Sequence, residues 1–394
     1  MDIAHSLQQI PSSYIREILA AASDKNVISL AGGLPDEQTF PIELMKPMLG
    51  QLADMPEVFQ YGETAGYGPL LAFLRKYYQL PDTHSAMVCT GSQQGLDLIA
   101  RAYVNPGDKV VMEAPSYLGA MQVFGLVQAN MLSVPQTETG PDLAALEACF
   151  SNDAPKMFYA VPDFHNPTGI SWSLPTRQKV AELCIRYNVA LIEDAPYREL
   201  RFTGDALPLV SDFCPQHSIV LRSFSKIASP GLRIGIVTGQ KHYLEPLVKI
   251  KQGADLHSSV PMQALLLGLL KHQAFNQHIE SIRALYKTRY DVLYAELVAQ
   301  LPDGCAVTEV DGGMFVWVTL PTCDTFALAK SLLSNGVAVV PSPVFYADHS
   351  TAKSALRLNF TNAKPDDLKI AVKRLAQGLE KQLSPNKADL VDVE

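Results

Sequence analysis

The sequence predicts an α/β fold, a parallel sheet flanked by helices, followed by a smaller α+β unit. Three observations predict it. From Met87 to Gly239, short apolar runs alternate with helix-spaced segments, the pattern of strands joined by crossover helices. Three of those runs end abruptly in clusters of Pro, Asn, Asp, Ser and Gly. After Gly304 the pattern changes to short strand-like runs around one helical stretch.

The elements follow in order. Met87-Val-Cys89 reads as a strand that gives way at Gly91 to a helix with Leu96, Ile99 and Ala100 on one side. Val110-Val-Met112 is a second strand, followed by Pro115 and Tyr117. Lys156–Val161 is a third, ending in Pro162-Asp-Phe-His-Asn-Pro-Thr-Gly169. Thr176–Asn188 spaces Val180, Leu183 and Cys184 as a helix would, with Arg177, Lys179, Glu182 and Arg186 mostly off that face. Val189–Ile192 is the next strand, ending in Glu193-Asp-Ala-Pro-Tyr197. Strand, helix, strand implies a parallel pair with a right-handed crossover. Ile219-Val-Leu221 is β-branched and breaks into Ser223-Phe-Ser-Lys226; Pro230 and Gly231 turn the chain toward Arg233 and the run Ile234–Val237. Helices fill Pro261 to about Leu301, including a long one bridging two domains, with Ala264–Leu270 a buried helical segment. Phe315–Thr319, Val337–Val340 and Ala355–Phe360 are strands, Thr325–Leu333 a helix, and the polar, acidic tail from Ser384 is expected to be disordered.

Polar groups at the carboxyl ends of such strands line the crevice where open α/β sheets bind ligands, so Asn166, Asp194 and Lys226 are expected to converge. Lys226 stands at a strand end, flanked by the Ser223 and Ser225 hydroxyls and followed by Arg233. Hydroxyls and a guanidinium suit a phosphate, and a confined lysine can lose its proton and form a Schiff base. Those are the requirements of pyridoxal 5'-phosphate (PLP). A buried carboxylate at Asp194 would keep the ring nitrogen protonated, and Asn166 and Tyr197 can donate to the ring's phenolate oxygen. Once displaced by substrate, Lys226 would act as the base that moves the α-proton. Backbone N–H groups at the helix start after Gly91 would bind the phosphate, with Ser92 and Gln93 as contacts. Plainer readings stand beside these: Asp194, Ser92 and Gln93 as helix caps, Tyr197 and Tyr117 as packing, Phe315 and Trp317 as core.

With these residues in place, the chain resembles the class I and II aminotransferases of PLP fold type I, from about Ser13 to Asn362. The likeness rests on Ser-Phe-Ser-Lys226 with Gly-Leu-Arg233, Asn166-Pro-Thr-Gly169, Asp194-Ala-Pro-Tyr197 and Leu356-Arg-Leu-Asn-Phe360. Within that family it is similar to the branch of 2-aminoadipate and kynurenine aminotransferases and MocR-type regulators, through Ser13–Ile18, Ser29–Asp36 and Gln60–Leu70. The resemblance implies a large domain with a mostly parallel seven-stranded sheet, residues 41–285, and a small C-terminal domain, 286–384. Residues 1–40 would pack with the small domain at the mouth of the site, and 385–394 would form the tail. It further implies that Tyr117 stacks on the cofactor ring and that Gly33 belongs to a segment covering the substrate. Arg357 would grip the α-carboxylate, and Tyr61 would reach the phosphate of the neighbouring subunit in a homodimer with shared active sites. Arg16 would meet a side-chain carboxylate such as that of glutamate or 2-aminoadipate; its plainer reading is a solvated helix face, and that of Arg357 a pairing with a structural acid.

The implied reaction exchanges an amino group between an L-amino acid and a 2-oxo acid, with 2-oxoglutarate the expected acceptor. A C–S lyase or another fold type I enzyme acting at Cα or Cβ would use the same Asp194–Lys226 machinery. A non-enzymatic PLP-binding sensor would need a basic winged-helix segment ahead of the fold, and only about a dozen residues precede the matched region.

Composition narrows the rest. The chain has 394 residues, 47% hydrophobic and 18% charged, with a net charge of −8 and no basic run, which argues against a nucleic-acid partner. No signal core and no membrane-length apolar stretch is present, so a cytoplasmic location is expected. Six scattered cysteines without a Cys-x-x-Cys pair read as free thiols, and none of the nine histidines has metal spacing, so no metal is expected. His165 reads as a support for Asn166. Gly66-x-Gly68 is no dinucleotide motif, because no strand precedes it.

Overall fold

The computed structural model describes residues 2–4, 7, 18 and 26–383. Arg16, most of the Ser13–Ile18 motif and the acidic tail lie outside the described residues. In chain order, β1 (Ile28–Ser29) is followed by α1 (Ile42–Leu52), α2 (Gly68–Tyr77), β2 (His84–Cys89), α3 (Ser92–Tyr103), β3 (Lys109–Ala114) and α4 (Leu118–Leu126). Next come β4 (Asn130–Thr137), β5 (Gly140–Pro141), α5 (Leu143–Asp153), β6 (Met157–Ala160), α6 (Leu174–Tyr187), β7 (Ala190–Asp194), β8 (Ser218–Ser223) and β9 (Gly235–Gln240). Helices α7 (Lys241–Ala254), α8 (Val260–Lys271) and α9 (Phe275–Gln300) lead to β10 (Ala306–Val307), β11 (Phe315–Thr319) and α10 (Thr325–Ser334). The described chain closes with β12 (Val337–Ala338), β13 (Val340–Pro341), β14 (Ala355–Asn359) and α11 (Pro365–Leu383).

The main sheet has the order β2-β9-β8-β7-β6-β3-β4-β5. Its seven long strands match the expected sheet, and the two-residue β5 adds a short antiparallel return beside β4. Strands β4, β3, β6, β7 and β8 pair in parallel, and β9 runs antiparallel to both β8 and β2. β9 is thus the one reversed long strand. Its reversal follows from the short Pro230–Gly231 turn, which leaves no room for a crossover helix. Every residue of β8 is buried, as a central strand covered on both faces requires.

The crossover between β6 and β7 shows how local sequence sets an element. Helix α6 starts at Leu174, two residues before the sequence pattern suggested, because the Ser173 side chain caps Thr176 N and Pro175 is tolerated in the first turn. Asn188, left-handed at φ 52°, ends it. Arg177 departs from the expectation that it lies off the apolar face: it is fully buried, its guanidinium 2.7 Å from Asp163 Oδ1 and bonded to the Trp172 and Pro162 carbonyls.

The C-terminal strands form an antiparallel sheet, β10-β11-β14-β13. β1 pairs in parallel with β12, Ile28 opposite Val337, so the early chain packs with the late chain. The long helix α9 ties the parts together: Arg283 Nε donates to the Glu199 carbonyl, and Arg289 bonds Asp36 and the Thr361 carbonyl.

Candidate active site

The carboxyl ends of β6, β7 and β8 open into one cleft of about 500 Å³. Asn166, Asp194, Tyr197, Ser223, Ser225, Lys226 and Arg233 all line it. Gly33, Ser92, Gln93, Tyr117 and Arg357 complete the wall, from segments far away in sequence. Tyr61 stands apart on the surface, 80% exposed and edge-on to His257 at 5.9 Å.

Asp194 ends β7 and is buried. Its Oδ2 accepts from the Tyr159 hydroxyl at 2.8 Å, while Oδ1 has no partner. The helix-cap reading of Asp194 therefore fails: its one donor is a phenol, not a backbone amide. Burial pushes its carboxyl up to about 7, against the opposing pull of the Tyr159 hydrogen bond. Lys226 lies in the turn after β8, its Nζ donating to the Gly33 carbonyl at 2.7 Å. Burial, with Arg357 and Arg233 nearby, lowers its pKa to about 8.

Arg357 projects from the middle of β14, where it pairs with Trp317 of β11 and Val340 of β13. Nη1 donates to Asn166 Oδ1 at 2.9 Å, Nη2 to the Ala31 carbonyl, and Nε has no partner. Its partners are an amide and a carbonyl, so it is not paired with a structural acid. The Phe315 and Phe345 rings face the guanidinium at 4.4 and 5.0 Å from their centroids and fix its plane. Phe315 is thus core and also part of this frame; Trp317 is buried against Phe345. Asn166 in turn donates to the Tyr197 hydroxyl at 3.4 Å. Desolvation pushes Arg357 down to about 10 and raises Tyr197.

The start of α3 forms the opposite wall. Gly91 sits at φ 77°, and a Cβ there would lie 2.7 Å from Arg233 Nη2, so only glycine lets the guanidinium close over this turn. Arg233 donates to the Thr90 carbonyl at 3.2 Å. No side chain caps this helix through Gly91. Gln93 is no cap: its amide donates to the Gly119 carbonyl at 3.0 Å and accepts from the Tyr117 hydroxyl at 3.1 Å. The Gln94 N–H already donates to the Gly91 carbonyl at 3.2 Å, whereas those of Ser92 and Gln93 have no helical acceptor and remain available to an anion.

These residues fit PLP. Asp194 Oδ1 is a buried acceptor without a donor, which a protonated ring nitrogen would satisfy. Among the lining residues Lys226, Arg233 and Arg357 are cationic and Asp194 is the one carboxylate, an excess of positive charge suited to a phosphate and a substrate carboxylate.

Residues 25–375 match the family model described as aminotransferase class I and II. The chain belongs to that family. An aromatic-amino-acid aminotransferase of Thermococcus litoralis is 34% identical over 386 residues, 94% of this chain and 92% of that protein. A Pyrococcus horikoshii kynurenine aminotransferase solved with PMP superimposes with a TM-score of 0.92 at 34% identity, covering 97% of each chain. The alpha-aminoadipate aminotransferase of Thermus thermophilus, complexed with N-(5'-phosphopyridoxyl)-L-leucine, gives a TM-score of 0.90 at 34% identity, covering 97% of this chain and 98% of that one. This aminotransferase uses PLP and acts on an amino acid and a 2-oxo acid. Its fold is fold type I.

Sequence reasoning missed several residues that support the site of this aminotransferase. Tyr159 is the first; a tyrosine inside an apolar strand must find a partner for its hydroxyl, and that signal was readable. Asp163 is the second: Arg177, Arg198 at 3.1 Å and Arg201 at 3.8 Å surround it, tying the loop of Asn166 to the segment after Tyr197. Glu113 is the third. Its Oε1 accepts from Gln136 at 2.8 Å and Trp172 at 3.1 Å, and Oε2 lies 3.7 Å from His165 Nε2. Burial raises Glu113 to about 8 and lowers His165 to about 3, so both are neutral near pH 7. His165 supports the Asn166 turn, as expected, through its ring contact with the Thr168 hydroxyl at 3.1 Å and its carbonyl, which accepts from Gly169 N. Among the described residues no His, Cys, Asp and Glu cluster could hold a metal, and no helix is long and apolar enough to cross a membrane.

Proposed function

We propose that this aminotransferase takes its amino group from an L-amino acid of the 2-aminoadipate, glutamate, aromatic or branched type and delivers it to 2-oxoglutarate. The names of its relatives support that range, and one observation carries the assignment of roles: Arg357 and Asn166, bonded to each other, share a cleft with Lys226 and the unpartnered Asp194 oxygen. Arg357 holds the substrate α-carboxylate, its plane fixed by the two phenylalanine rings. Lys226 anchors the cofactor and carries the α-proton; its lowered pKa brings a neutral amine within reach near physiological pH. Asp194 keeps a proton on the ring nitrogen. Asn166 and Tyr197 donate to the phenolate oxygen, and Tyr117 stacks on the ring. Ser92, Gln93, Ser223, Ser225 and Arg233 hold the phosphate. When bound, PLP supplies the electron sink that stabilises charge left at the α-carbon.

In this reading Gly33 belongs to the covering segment, and a homodimer brings the exposed Tyr61 of each subunit to the other's phosphate. Arg16 contributes when the donor side chain carries a carboxylate. In the same reading the large domain spans residues 41–285 and the small one 286–384, with residues 1–40 packing with the small domain at the mouth of the site. Borohydride reduction followed by peptide mapping should find the cofactor on Lys226. Glutamate should then yield 2-oxoglutarate stoichiometrically in a half-reaction, and a donor screen with 2-oxoglutarate should define the range. Release of pyruvate and ammonia from cysteine-type substrates, without that half-reaction, would make the protein a C–S lyase.

A further inference from the structure

One hydroxyl in the cleft has no part in the roles above. Tyr159 sits in β6 opposite Ile192 of β7, one two-residue repeat before Asp194, so both side chains emerge on the same face of the sheet. Its ring is buried edge-on against Phe124 at 6.2 Å. The residue lines the cleft, and its hydroxyl donates to Asp194 Oδ2 at 2.8 Å. Packing alone would explain the ring. It would not explain why a carboxylate of the cleft wall has one oxygen held by this phenol and the other buried without a partner.

We infer that Tyr159 is a positioning residue: by holding Oδ2 it favours the ionised form of Asp194 and leaves Oδ1 for the ring nitrogen of PLP. This rests on the reading of Asp194 given above. Asp194 needs such help because its neighbours give it none. Cys89 at the end of β2, Tyr117 after β3, Tyr159 itself and Tyr197 after β7 face it, and burial raises all four, so none is charged near neutral pH. The cleft's cations, Lys226, Arg233 and Arg357, have other tasks. Burial drives the Asp194 carboxyl toward its protonated form, and the Tyr159 hydrogen bond is what opposes that drift. A protonated Asp194 could not retain a proton on the ring.

Tyr159→Phe removes one oxygen and leaves the ring packing, with circular dichroism to verify the fold. Reconstituted with ring-¹⁵N PLP, the variant should titrate its ring nitrogen about one pH unit lower than wild type and bind PLP about ten-fold more weakly. Tyr159→Gln, which keeps a donor but loses the ring, should recover part of the nitrogen shift. An unchanged ¹⁵N titration and PLP affinity in Tyr159→Phe, or a signature that follows the ring rather than the donor, overturns the inference. Absence of a borohydride-reducible adduct on Lys226 in the wild type would instead overturn the reading of the site itself.

Discussion

Arg357→Lys keeps the positive charge and removes the fork. In the structure the guanidinium spans Asn166 Oδ1 and the Ala31 carbonyl while lying between two aromatic faces, a geometry a single ammonium cannot reproduce. A carboxylate gripped by the fork gains two charge-assisted hydrogen bonds of about 1.5–3 kcal/mol each. Lysine retains at most one of them, so kcat/KM should fall by about 10- to 150-fold. Arg357→Gln loses the charge as well, and its loss should reach roughly 10²- to 10⁴-fold on the same arithmetic. The assay is the single-turnover half-reaction with glutamate, run beside a PLP titration and an amine lacking the α-carboxylate. Reactivity toward that amine and the affinity for PLP should barely change. Losses equal for glutamate and for the amine, or rates within three-fold of wild type in both variants, would refute the carboxylate assignment.

Lys226→Ala should abolish the reducible PLP adduct and slow the half-reaction by at least about 10²- to 10⁴-fold, the range of a lost general base, measured in single turnover. Gly91→Ala forces a side chain onto Arg233 at φ 77° and should weaken PLP binding by about 1–3 kcal/mol in an apoenzyme titration. Glu113→Gln should match wild type near pH 4 and melt higher than it at pH 7, because there the native carboxyl must take up a proton that the unfolded chain has released; Glu113→Ala strands the Gln136 and Trp172 donors and should lose about 2–4 kcal/mol by denaturant unfolding near pH 4. Asp194 makes the apoenzyme pH-sensitive. Its folded pKa of about 7 exceeds the unfolded value, so the native state holds a proton the unfolded chain has released. That contribution is complete below about pH 4 and is lost as pH rises through about 7. Asp194→Asn should flatten this part of the melting curve of the apoenzyme, leaving the similar but higher-reaching decline of Glu113.

Much of the fold was legible because the main-sheet strands are covered on both faces and stand out as apolar runs. β4 was not. It is largely exposed and carries Pro135 within it, so neither alternation nor an apolar run marks Asn130–Thr137 as a strand. Arg177 was misread for a related reason: helical spacing places a side chain on a face but says nothing of an Asp163 waiting there from another loop. Helix α11 went unnoticed in the sequence although its apolar stripe is strong.

By itself the sequence determined where strands end and which reactive groups stand near those ends: Asp194 closes its strand, Lys226 follows within three residues and Asn166 within six, and chain connectivity carries them to one edge of a parallel sheet. Only the tertiary structure decided which groups touch. Arg357 meets Asn166 across 191 residues and Lys226 meets Gly33 across 193, while Tyr159 meets Asp194 through strand register. Local patterns encode a residue's own conformation and exposure. Contacts between distant segments depend on the order and direction in which whole elements pack, and no short window of sequence contains that.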